Sequence, residues 1–173
     1  MFLYNKPIRN NILLFRVILF ILGCFKMYKI SNFTNNDDVT IIAEKGPFQV
    51  IQYKRDLSVS PSTAMTAYFC DEMNIRKRQV ICDLSKSNGI TCQAGAMQWT
   101  VGNVNATTGV KSAGDFIGKL VKGKVTGESA IKPEYTGNGT LVLEPTYKHI
   151  VLMNTADWNG AVVLDDGLFL ACD

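Results

Sequence analysis

From Thr40 to the last residue, short apolar runs alternate with polar or glycine-containing gaps at close spacing, the pattern of an all-β sandwich or barrel with mainly antiparallel strands. "TIIAEKGPFQVIQY" predicts two strands around Lys45-Gly46-Pro47. "RQVICDLSKSNGITCQAGAMQWTVGNV" predicts a strand, a hairpin turn at Asn88-Gly89, and two further strands meeting at a bend on Gly95. "GNGTLVLEP" and "WNGAVVLDDGLFLACD" repeat the device, with turn dipeptides at Asn138-Gly139, Asn159-Gly160 and Asp166-Gly167. Such dipeptides tolerate the positive φ that tight hairpins demand. Thr140–Leu143 and Ala161–Leu164 are almost unbroken apolar runs, which predicts strands covered on both faces, by a second sheet or a neighbouring subunit.

Around Gly95, Cys92, Ala94, Met97 and Trp99 are candidates for filling the space between sheets. Gln93 and Gln98 are harder to place: they are surface positions, or polar groups turned toward a partner subunit. Two stretches leave the strand pattern. "PSTAMTAYFCDEMN" offers cap candidates (Ser60, Ser62, Thr63) and sets Met65, Tyr68, Phe69 and Met73 at helical spacing, predicting a helix over 63–73. "SAGDFIGKLVKGK" places Phe116, Ile117, Leu120 and Val121 on one face, a short amphipathic helix or flap over an open end of the barrel.

The N-terminal segment has to be separated from the fold. Its apolar run from Ile12 to Phe25 falls short of the roughly 20 residues a spanning helix needs and contains Arg16. Ile21-Leu22-Gly23-Cys24 resembles a lipobox, but Arg16 lies where such signals are uncharged. The preferred reading takes Met27 as the start and residues 1–26 as an upstream extension. A membrane anchor through residues 8–26 and an acylated Cys24 follow in that order. The expected location is therefore cytoplasmic, with membrane association only if residues 1–26 are translated.

Charge adds little. The chain of 173 residues carries a formal +3, but Lys6, Arg9, Arg16 and Lys26 supply all of it, and the remainder is close to neutral. A polyanion partner thus has no general electrostatic support, and Arg76-Lys77-Arg78 is a local run of the kind that guards a strand edge. Five cysteines without a CxxC pair do not form a disulfide framework. Cys82, Cys92 and Cys172 read as small hydrophobes inside strands.

The available chemistries are few. A single histidine, His149, cannot make the two- or three-histidine metal site of many β-barrels, and no CxxC pair is present for zinc. No G-x-S-x-G elbow accompanies His149, and no phosphate loop or dinucleotide fingerprint is present. Glu128 and the pair Asp165-Asp166 are the remaining acid/base candidates, the latter first of all a turn. Trp99 and Trp158 are core or stacking residues. No residue is assigned to catalysis, a cofactor or a metal.

Three stretches, "NGITCQAGAMQWTVGNV", "TGESAIKPEYTGNGTLVLEP" and "WNGAVVLDDGLFLACD", are similar to bacterial members of the family named for altered inheritance of mitochondria protein twenty-four. The resemblance runs from about Val39 to the end. It rests on Gly89, Gly95, Ala96, Met97 and Trp99 in the first stretch, Gly127, Glu128, Gly137 and Gly139 in the second, and Gly160 and Gly167 in the third. It implies a fold like that of the tryptophan RNA-binding attenuation protein: a shortened double-stranded β-helix, normally duplicated within one chain and assembled into trimers or rings. It implies no catalytic activity and no cofactor. RNA binding belongs to the fold relative and does not pass to this chain through the fold. Residues 27–173 correspond to the first repeat of that arrangement and look incomplete at the C-terminus, which predicts exposed apolar faces and poor solubility as a monomer.

The expected function is that of a non-enzymatic, oligomeric scaffold or binding module. The alternative is a ligand- or RNA-binding ring using Trp99 and the run Arg76–Arg78.

Overall fold

The computed structural model describes residues 28–55, 58–108, 132–165 and 167–173. Its strands are β1 (Val39–Lys45), β2 (Phe48–Tyr53), β3 (Arg78–Asp83), β4 (Ile90–Cys92), β5 (Met97–Thr107), β6 (Glu134–Leu143) and β7 (Ala171–Cys172), with one helix, α1 (Ala64–Glu72). All pairings are antiparallel, and the sheet curls strongly into a half-barrel. The all-β expectation, with few helices, holds.

The centre is β6. One edge pairs with β5 along its whole length, from Glu134↔Thr107 to Leu143↔Met97. The other edge is shared: β3 takes residues 140–142 and β4 takes 134–135. The sheet therefore forks, one branch running β3-β2-β1 and the other β4-β7. This corrects the reading of Asn88-Gly89 as a hairpin turn. Asp83 accepts a hydrogen bond from the Ser85 backbone N–H at 3.2 Å and starts a short 3-10 turn, Leu84–Lys86. Two segments of the same edge are thus joined in line, and pairing with β6 overrides the local turn preference. Gly89 sits where a Cβ would come 2.7 Å from Glu134 Oε1.

Asn138-Gly139 is not a turn either. Both residues lie inside β6, with Gly137, opposite Asn103 and Gly102. Gly139 faces Gly102, whose φ is +98°, and a Cβ on Gly102 would stand 2.6 Å from the Tyr28 ring and 2.8 Å from the Asn138 carbonyl. Small residues on both strands let the backbones and the Tyr28 ring close on one another. The ladder then extends through a dipeptide that would turn elsewhere.

The expected double burial of Thr140–Leu143 is observed. One face carries the core of Val50, Val80, Cys82, Ile90, Cys92, Tyr135, Leu141 and Leu143, against which Ile150, Leu152 and Leu170 pack. By strand alternation Ile51, Gln79, Thr140 and Val142 lie on the other face, and all four are buried. The Tyr28 hydroxyl is 2.8 Å from Thr140 Oγ1 there. The second apolar run behaves differently. Ala161–Leu164 forms no strand, and Val163 is 98% exposed. Asn159 and Gly160 do adopt the positive φ expected of them, and Gly167 closes a turn in which the Leu168 N–H donates to the Asp165 carbonyl at 3.2 Å.

The helix forms as predicted and stops for a definite reason: Asn74 takes a left-handed conformation, and the Ile75 N–H reaches back to the Cys70 carbonyl at 2.7 Å. Its apolar residues, however, join no core: Tyr68 and Phe69 meet edge to face at 5.5 Å. Met65, Tyr68, Phe69 and Met73 are all exposed. The predicted second helix, the readings of residues 1–26, Gly127 and Glu128 lie outside the described residues.

Candidate functional site

The turn at Ala94-Gly95 needs its glycine: φ is +79°, and the Ala96 N–H donates to the Gln93 carbonyl at 3.1 Å. Of the expected space-fillers, Cys92 is buried, Trp99 is half-buried, and Ala94 and Met97 are exposed; Ala96, which was not among them, is buried. The exposure of Met97 has a cause in the ladder. Met97 pairs with Leu143 and Trp99 with Val142, so Gln98 is an extra residue, a β-bulge. A bulge of this kind re-aims a side chain. Here it turns Gln98 onto Gln79 of β3.

Gln79 is the most buried polar side chain described, 1% exposed, and its hydrogen bonds define an ordered relay. Its Nε2 donates to the Leu143 carbonyl at 2.7 Å and to Gln98 Oε1 at 2.7 Å, and its Oε1 accepts from the Tyr53 hydroxyl at 2.5 Å. A carbonyl can only accept, so the Leu143 oxygen fixes which end of the Gln79 amide faces it. That orientation makes Gln98 present its oxygen to Gln79. The Gln98 Nε2 group is turned outward, with no hydrogen bond to the described residues.

The relay floors a cleft of about 470 Å³, within the size range of small-molecule sites. Phe33, Val39 and Pro145 supply apolar wall, and Arg55 and Lys77 bring positive charge. The Phe33 ring packs on Trp99 at a centroid distance of 5.3 Å, so Trp99 supports the cleft from behind. Arg55 is forked onto Asp38, Nε to Oδ1 at 3.1 Å and the terminal nitrogen to Oδ2 at 3.2 Å, which neutralises that carboxylate. Lys77 Nζ lies 5.4 Å from the centre of the Tyr147 ring.

The basic run is not a continuous patch. Lys77 lines the cleft, whereas Arg76 and Arg78 do not. Arg76 is ion-paired with Asp71 and donates to the Lys54 carbonyl at 3.2 Å, while Arg78 has a buried Nε without a hydrogen-bond partner. Gln79 and Tyr53 were not singled out by sequence reasoning; a lone glutamine opening the apolar strand "QVIC" was the one signal available.

Cys82 and Cys92 are fully buried free thiols, and Cys172, expected inside a strand, is an exposed thiol on β7. Burial pushes the Cys82 thiol far above its ordinary range and lifts Cys92 to about 12, with neighbouring sulfur adding to each. Among the described residues no three His, Cys, Asp or Glu side chains gather as a metal ion would require. No helix there is long and apolar enough to cross a membrane.

The mitochondrial biogenesis AIM24 family model matches residues 73–173, from the end of the helix through every strand of the forked sheet except β1 and β2. The chain belongs to this family. Neither the curated proteins nor the solved structures provide a match. The match begins at Met73 rather than near Val39, and it includes Gln79 and Gln98 but not Tyr53.

Proposed function

We propose that this AIM24-family protein is a non-enzymatic β-module that self-associates, as a trimer or ring, and serves as a scaffold or binding partner in the cytoplasm. The observation that carries this reading is the row of apolar side chains left in solvent on the C-terminal segment: Val151, Trp158, Val163, Leu164 and Leu168. Large apolar side chains left in solvent at this density along one segment are a feature of interfaces. Family membership supports the reading at the level of mitochondrial-biogenesis-type proteins. The near-neutral body and the divided basic run favour a protein partner over nucleic acid.

Sedimentation across a range of concentrations tests it. The native chain is expected above its monomer mass of 19.1 kDa. Val163→Asp combined with Leu168→Asp is expected to return it to monomer without lowering its melting temperature. A native chain that stays monomeric at every concentration overturns the proposal.

A further inference from the structure

We infer that residues 28–37 are a releasable strap: they leave the sheet as one unit while the strands stay folded, and so open one wall of the cleft over Gln79. Two aromatic side chains pin the strap. The Tyr28 ring lies over Gly102, where a Cβ would come within 2.6 Å of it, and its hydroxyl is 2.8 Å from Oγ1 of Thr140, itself 3% exposed. The Phe33 ring packs on Trp99. The backbone adds no tie of its own: among the described residues, no main-chain hydrogen bond joins residues 29–37 to a strand.

Within the strap the bonds are local. Asn36 Nδ2 donates to the Asn32 carbonyl at 3.2 Å and to the Phe33 carbonyl at 3.1 Å. Asn32 takes a φ of 58°, which folds the chain back on itself. These bonds move with the strap and give it a shape of its own. The fixed point is Asp38, whose carbonyl accepts from the Lys54 N–H at 2.7 Å and whose carboxylate is held by Arg55. The pivot is therefore Asp37, which is exposed. One bond spans it, from the Asp38 N–H to Asn36 Oδ1 at 2.8 Å.

Segments held by a few side chains, without ladder bonds, open at a lower free energy than the whole fold. The sheet has the opposite character, since β6 is laddered on both edges. Asn32, Phe33 and Asn36 line the cleft from the strap, and Tyr53, Gln79 and Gln98 line it from the sheet. When Phe33 leaves Trp99, that wall leaves with it, and the relay is reached from the strap side. Closed and open straps are thus two states of one cleft, with Tyr28, which does not line the cleft, as the latch. The inference is independent of self-association, since strap and seat belong to a single chain.

The test uses the full chain with Trp158→Phe, an exposed position, which leaves Trp99 as the sole tryptophan. Trp99 emission and its quenching by acrylamide are followed in urea beside far-UV circular dichroism. Trp99 emission is expected to shift to the red at a urea concentration below the dichroism midpoint, because transitions that do not coincide mark separate units. Adding Tyr28→Ala is expected to raise the quenching of Trp99 severalfold without urea and to leave the dichroism midpoint unchanged. Tyr28→Phe, which keeps the ring and loses the hydroxyl, is expected to fall between. Coincident transitions in the Trp158→Phe chain, unchanged quenching in Tyr28→Ala, or a dichroism midpoint that falls with that substitution overturns the inference.

Discussion

Gln79 shows how one residue can tie a sheet to a cleft. It satisfies a backbone carbonyl of β6, a hydroxyl from β2 and an amide from β5 while itself almost wholly inside the protein. Replacing it with leucine keeps much of its volume but leaves the Leu143 carbonyl without its side-chain donor and removes the amide oxygen to which Tyr53 donates. Orphaned buried groups cost about 1–3 kcal/mol. Gln79→Leu is therefore expected to lower the melting temperature by on the order of 5 °C for a domain of this size. Thermal unfolding followed by circular dichroism checks this; an unchanged or raised melting temperature would show that the relay contributes nothing to stability. Little of this arrangement was legible in the sequence. Gln98 stood out as a polar residue in an apolar stretch, but its partner lies 19 residues earlier and meets it only because β3 and β5 flank β6.

The elements were more legible than their surroundings. Alternation located β1, β2, β3 and β5, and the spacing of Met65, Tyr68, Phe69 and Met73 located α1. Local pattern reports the propensity of a segment, not whether something covers it. The helix forms with its apolar face in solvent, whereas Ala161–Leu164, with the same strand-like character as Thr140–Leu143, finds no ladder. Two of the four turn dipeptides, Asn88-Gly89 and Asn138-Gly139, failed for a related reason, the latter drawn into β6 opposite Gly102. From its exposure, α1 is expected to tolerate polar replacement. Met65→Gln with Phe69→Ser should change the stability of the described fold by less than about 0.5 kcal/mol, as for other surface sites. A fall of several degrees in melting temperature would mean that the helix face is packed in solution.

For the whole molecule, the buried thiols set a dependence on pH. Cys82 and Cys92 bind their protons more tightly when folded than the ordinary value of 9.0, because burial disfavours thiolate. The unfolded chain loses these protons first as pH rises, so the contribution is constant below 9.0 and is lost as pH climbs toward 12. Tyr135, also shifted upward mainly by burial, acts in the same direction. Urea stability is expected to be flat with respect to these groups up to that point and to decline above it. A Cys82→Ala, Cys92→Ala double variant, less stable throughout, should decline less steeply; an identical slope would assign the alkaline loss to other groups.

The bulge in β5 has a consequence for how such a chain can change. Gln98 is the single residue of its strand that the ladder with β6 does not require, because Met97 and Trp99 already meet successive partners, Leu143 and Val142. Loss of one codon there would close the strand into a regular ladder while removing the amide that faces the cleft. The architecture of the sheet and the relay beneath the cleft are thus separable by the smallest possible deletion, since every other residue of β5 keeps its partner in β6.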